Sequence, residues 1–175
     1  MTKNDYLYLY KKLNHRTPLK GNCGVLCGGR CCSDEDCEEL GMYLFPGEEE
    51  LFINEPGFRV EESEFEVNGK KTAILFCDGT CDRRKRPLSC RIFPLFPYVT
   101  ATGELTVVKD IRSKSVCPLF EADMKEFSHA FIRGVYHIGK ILIEDSEGFD
   151  FLFELSRLID EEVEKIAEIS EMILG

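Results

Sequence analysis

The sequence predicts an α+β fold: a small antiparallel β region carrying cysteine-rich loops, packed against helices, with an antiparallel helix pair at the C-terminus. Three observations lead there. "FRVEESEFEVNGKKTAILFC" places an Asn-Gly turn between two strand-like runs. The last third carries apolar residues three or four apart, the helical period. Between Gly21 and Cys37, five of the nine cysteines crowd into a glycine-rich stretch that neither period explains.

The elements follow in chain order. Tyr6, Leu9, Tyr10 and Leu13 recur at helical spacing over residues 4–14, with Asn4 or Asp5 as cap. Pro18 and Gly21 end that helix and open the cysteine loop. Ser33 before "DED" has the form of an N-cap with acids in the first turn, so a short helix is expected to carry Cys37 and Leu40. Asn68-Gly69 suits a type I′ hairpin whose second strand, Ala73 to Phe76, delivers Cys77 at its end. A second hairpin is expected around Thr102-Gly103, with "PYVT" and "ELTVVKDI" as its arms. Met124, Phe127, Phe131, Val135, Ile138 and Leu142 predict one amphipathic helix, with Gly134 permitting close packing. From Phe151 onward, Leu155, Ile159, Val163, Ile166 and Ile173 predict another, whose acidic side (Asp160, Glu161, Glu162, Glu164 and Glu168) reads as a solvated face. The whole of 1–175 reads as one domain, with a cysteine-rich core over 21–120 and the helical pair over 121–175.

Bulk properties narrow the function. At 43% hydrophobic residues the chain can build a core. Its formal net charge of −10 argues against nucleic acid as partner, because phosphate binding needs a basic face. No apolar run has the length of a membrane span, and "MTKNDYLYLYKKLNHR" has no apolar secretory segment. The expected location is therefore the cytoplasm, where clustered cysteines bind metal or do redox chemistry more often than they form disulfides. Nine cysteines cannot all pair within one chain, and bridging adjacent Cys31 and Cys32 would strain the peptide between them.

Eight cysteines form the candidate ligand set: Cys23, Cys27, Cys31, Cys32, Cys77, Cys81, Cys90 and Cys117. Thiolates are soft donors suited to zinc or iron–sulfur centres. Gly21, Gly24, Gly28 and Gly29 let the backbone curl so that several sulfurs can converge. Cys37 is the odd one out, read as a small buried hydrophobe. Arg83, Arg84, Lys85, Arg86 and Arg91 form the one dense basic segment, read as compensation for thiolate charge. Asp78 and Asp82 could add oxygen ligands, though turn formation explains them equally. His15, His129 and His137 read as ordinary surface or core histidines. "PLFP", Pro94 to Pro97, reads as an apolar cover over the metal loop.

The segments "CGVLCGGRCC" and "CDGTCDRRKRPLSCRIFPLFP" resemble the zinc- or iron-chelating domain family known by its CxxCxxCC motif, the YkgJ-like proteins. Cys81, Arg86-Pro87-Leu88, Cys90-Arg91 and Phe93-Pro94 look like that family's "C…RPxxCRxFP" segment, and the likeness covers about residues 21–120. Here three residues, not two, separate the first cysteines. That spacing is similar to the cysteine region of the flagellin lysine-N-methylases, which would imply an iron–sulfur centre and a methyltransferase-related role.

Zinc is the expected metal, structural or accessory, in one or two sites; a [4Fe–4S] cluster with a redox role is the alternative. Cys23-x3-Cys27-x3-Cys31 nearly matches a radical S-adenosylmethionine signature, but its final spacing is one residue too long, with no repeated strand–helix pattern beside it. A dithiol redox protein would want Cys-x-x-Cys, which the sequence lacks. No nucleophile–base pair, phosphate loop or paired catalytic carboxylate stands out. A protein partner would engage the helices.

Overall fold

The computed structural model describes residues 1–32, 41–79 and 82–174, with side chains through Met172. The fold is α+β. Helix α1, Lys3–Leu13, starts one residue before the expected caps because Thr2 accepts from the Asp5 N–H while the Asp5 carboxylate takes the Thr2 N–H. Its apolar residues Tyr6, Leu9, Tyr10 and Leu13 are all buried. The expected helix around Cys37 lies outside the described residues.

The first hairpin forms as the Asn-Gly turn dictates, with Asn68 and Gly69 both at positive φ. Strands β2 (Phe58–Val67) and β3 (Lys70–Cys77) pair antiparallel, Val67 opposite Lys70 and Phe58 opposite Cys77, with an irregular register between Glu62 and Glu66. Short strand β1, Met42–Tyr43, adds to the free side of β3 and gives the order β1-β3-β2. Two residues carry no period, so β1 has no sequence signal.

After α3, Leu88–Ile92, the second hairpin pairs β4, Leu95–Val99, with β5, Leu105–Lys109. This corrects one expectation. "PLFP" is not a cover over the metal loop; Leu95, Phe96 and Pro97 form the buried stretch of β4, and only Pro94 faces the cysteines. The Val99 N–H reaches the Ser156 hydroxyl (2.9 Å), which donates in turn to the Leu152 carbonyl (2.7 Å).

The helical third departs from its expected bounds. Met124–Glu126 is a separate 3-10 turn with its own capping box, and α4 runs from His129 to Ile143. Extended backbone at Phe127 and Ser128 breaks the single expected helix. Helix α5, Ser146–Leu174, begins five residues before Phe151. Phe131, Val135, Ile138 and Leu142 of α4 and Phe151, Leu152, Leu155 and Ile159 of α5 join α1, α3 and β4 in one core. Phe45 and Phe65 pack on Phe151 at 5.0 and 5.7 Å and couple the three-stranded sheet to it. A second, small cluster of Leu44, Phe52 and Leu75 lies under that sheet.

Gly139 sets how closely α4 approaches the second hairpin. A Cβ there would lie 2.7 Å from Pro97 Cβ and 3.0 Å from Leu105 Cδ1. Gly139→Ala should therefore cost roughly 1–3 kcal/mol despite its better helix propensity. Denaturant unfolding of the variant measures this; unchanged or raised stability would mean that α4 shifts freely.

Candidate metal centre

The cysteine loop winds tightly. Asn22 accepts from the Gly24 N–H and starts helix α2, Gly24–Cys27, directly after Cys23. Gly28 ends it at φ +66 and Gly29 continues at +79, where a Cβ would strain the chain. The Cys32 N–H then bonds the Gly29 carbonyl (2.7 Å) within the 3-10 turn Arg30–Cys32. This doubling-back aims Cys23, Cys27 and Cys31 at one small cavity.

Distant segments complete it. Cys90 comes from the middle of α3, and Cys117 stands just before the turn Pro118–Phe120, its N–H on the Ser113 carbonyl (2.8 Å). Five of the eight predicted cysteines thus line a cavity of about 50 Å³, together with Pro18, Phe93, Pro94, Val116 and Leu119. Cys31 and Cys90 also face a neighbouring cavity of about 340 Å³, which Cys32 lines as well. The Cys31 and Cys32 sulfurs are 4.0 Å apart.

The remaining candidates differ. Cys77 ends β3 opposite Phe58 and lines neither cavity. Cys81 lies outside the described residues, as does Cys37. Asp78 faces the Gly57 turn, and Asp82 caps the turn Arg83–Lys85 and pairs with Arg84 at 2.7 Å, so turn formation accounts for both. His15, His129 and His137 are exposed and line neither cavity. Among the described residues, no three Cys, His, Asp or Glu side chains stand so as to hold a metal ion; five sulfur-bearing residues line a shared space instead.

Electrostatics tie these thiols together. Burial pushes the Cys23 thiol up, nearby Cys31 and Cys27 raise it further, and Arg83 works against them. Cys117 is likewise raised by burial and by Cys31, Cys23 and Cys27, against a backbone hydrogen bond at Leu119. Cys27 and Cys31 therefore make ionisation of both Cys23 and Cys117 harder. A cation among them reverses that sign, since every thiolate then meets an opposite charge at short range.

The basic segment divides. Arg83, Arg86 and Arg91 line the sulfur cavity, while Arg84 pairs with Asp82 and Lys85 with Glu55 on the surface. The expectation that all five neutralise thiolates holds for three positions at most. Arg91 has a further task. Its guanidinium donates to the carbonyls of Arg84 (2.6 Å) and Arg86 (2.7 Å) and to Asn14 Oδ1 (3.1 Å), and lies 4.1 Å from the Tyr10 ring centre. It fixes the path of the basic loop from inside.

At the start of α3 lies a group with no sequence signal. Glu48 is fully buried and accepts three hydrogen bonds: from the Tyr10 hydroxyl (2.5 Å), the Leu88 N–H (2.6 Å) and the Phe45 N–H (3.1 Å). Burial raises its pKa from 4.5 to about 7, against those bonds and Arg91. Glu48 thereby joins α1 to the first residue of α3, the helix that presents Cys90.

No family model, curated protein or solved structure matches the chain. Among the described residues, no helix is long and apolar enough to cross a membrane.

Proposed function

We propose that the protein binds a metal ion through clustered cysteines, with four donors drawn from Cys23, Cys27, Cys31, Cys90 and Cys117. The observation that carries this reading is that sulfurs from three separated segments line one small cavity beside three arginines. An all-sulfur donor set selects zinc or an iron–sulfur cluster over harder ions. Zinc has no geometric preference from its d electrons and suits irregular ligand spacing, and it is the metal we assign. Its role is structural or accessory: it joins the N-terminal loop to α3 and to the segment after β5. The resemblance to the CxxCxxCC chelating family supports the same reading, since the family's "RPxxCRxFP" stretch here spans Arg86, Cys90 and Pro94 of the cavity wall. Residence in a reducing cytoplasm belongs to this proposal, because oxidised cysteines could not bind.

Purification without oxygen from cells supplied with zinc and iron, followed by elemental analysis and a visible spectrum, tests the proposal. The expected result is colourless protein with about one zinc per chain. A brown preparation containing iron and acid-labile sulfide would transfer the site to an iron–sulfur cluster. Folded, metal-free protein with its thiols titratable would end the reading.

A further inference from the structure

We propose that the open side of β3, next to the first hairpin turn, is a docking lane for a short, extended, cationic segment of another protein. Strand β1 covers only part of that side. Met42 and Tyr43 pair with Leu75 and Ile74, and the Leu44 N–H reaches the Ala73 carbonyl (2.9 Å). The chain then turns away: Pro46 has no N–H to give, and Gly47 stands at φ +85. Strand β3 runs on to Lys70 without a neighbouring strand on that side. Val67 and Lys70 flank the two-residue turn as a hydrogen-bonded pair. By alternation, the backbone N–H and C=O of Lys71 point away from β2, along the edge that the Ala73 carbonyl marks. Among the described residues, neither group has a partner across that edge.

Beside this edge lies a groove of about 560 Å³, which Lys71, Thr72 and Ala73 help to line. Leu44, Val60 and Ala73 give it an apolar patch. Its charge decides what can enter. Glu49, Glu62, Glu147 and Asp150 all line it, and among the described residues none of them meets a cation; Asp150 takes only the neutral Asn68 amide (2.7 Å). Glu61 and Lys71 line it too, but pair with Arg59 and Glu64. Lys70 is the one lining cation left to offset four carboxylates. A free edge accepts an extended backbone, and the carboxylates select positive side chains on it. A second copy of this chain would oppose these carboxylates with its own.

The test uses the full chain. The probe is a dye-labelled peptide of alternating arginine and valine, read by fluorescence anisotropy. Its counterparts are a glutamate/valine peptide and the arginine/valine peptide with methylated backbone nitrogens. The arginine peptide should bind with a Kd on the order of 100 micromolar, weakening as salt rises. Backbone methylation, which keeps the charge and removes the N–H donors, should weaken it about tenfold. The glutamate peptide should not bind. The double variant Glu49→Gln/Glu147→Gln should retain its far-UV circular dichroism and bind the arginine peptide about fivefold more weakly. Glu164→Gln/Glu168→Gln, outside the groove, should bind it as the wild type does. The proposal is overturned if the arginine peptide fails to bind, if either counterpart binds equally well, or if the two double variants behave alike. It is also overturned if sedimentation shows a dimer that the arginine peptide dissociates, since the lane is then filled by a second copy. Among the described residues no cysteine lines the groove, so these readouts do not depend on the metal.

Discussion

The zinc proposed above is expected to be lost from Cys90→Ser and kept by Cys77→Ser. Both are single sulfur-to-oxygen exchanges at half-buried positions. Only Cys90 faces the cavity shared with Cys23, Cys27, Cys31 and Cys117. A structural zinc contributes on the order of 10 kcal/mol to folding, because the unfolded chain offers no preformed site. Weakening one of its bonds should remove several kcal/mol and lower the metal content well below one per chain. Adding a chelator to wild-type protein should reproduce the lower melting temperature of Cys90→Ser. Metal analysis and thermal unfolding of both variants read this directly. Equal metal loss in the two would place Cys77 at the centre; full retention in both would remove Cys90 from it.

Glu48→Ala should be the most damaging substitution away from the cysteines. It leaves the Tyr10 hydroxyl and the Phe45 and Leu88 N–H groups without their acceptor in a fully buried position, at a cost of ~3–5 kcal/mol. The same residue shapes the pH dependence. Its folded pKa, about 7, lies above the ordinary 4.5. Below pH 4.5 the carboxyl is neutral in both folded and unfolded chains. Between 4.5 and 7 the unfolded chain releases this proton and the folded chain keeps it, so folding takes up a proton. Stability should therefore fall as pH rises across that window, by on the order of 3 kcal/mol, and level off above it. Glu48→Gln, neutral throughout, should flatten the slope. Urea unfolding at intervals between pH 4.5 and 8 measures both; a slope that persists in Glu48→Gln would assign it to another group.

The two variants also probe one mechanical chain. Tyr10 on α1 donates to Glu48, Glu48 holds the Leu88 N–H at the start of α3, and α3 carries Cys90. Arg91 lies over the Tyr10 ring and grips the carbonyls of Arg84 and Arg86. The cavity wall thus rests on a buried polar network whose members mostly lie outside the cavity. Partly satisfied networks of this kind are costly, which is why removing Glu48 should disturb the presentation of Cys90 as well as the fold.

Much of this organisation could be read from residue order. The hairpin at Asn68-Gly69 and the burial faces of α1, α4 and α5 follow from turn chemistry and from period, both local properties of the chain. Element ends were less legible. The caps at Thr2 and Asp123 depend on reciprocal side-chain hydrogen bonds that a periodic pattern does not reveal. "PLFP" was misread because a short apolar run looks alike whether it lines a site or fills a core strand.

For the site, residue order alone establishes that thiols are grouped, that glycines permit the loop to close, and that one basic segment accompanies them. These follow from covalent spacing and from the steric freedom of glycine. Which sulfurs share a cavity was decided only by tertiary structure: Cys90 and Cys117 reach Cys23, Cys27 and Cys31, and Cys77 does not. So was the difference between Glu48 and its neighbours Glu49 and Glu50, identical in sequence, of which Glu48 is the one buried. The physical reason is the same in both cases. Convergence and burial depend on how α1, α3 and the hairpins pack against one another, and no residue carries that information in its own identity.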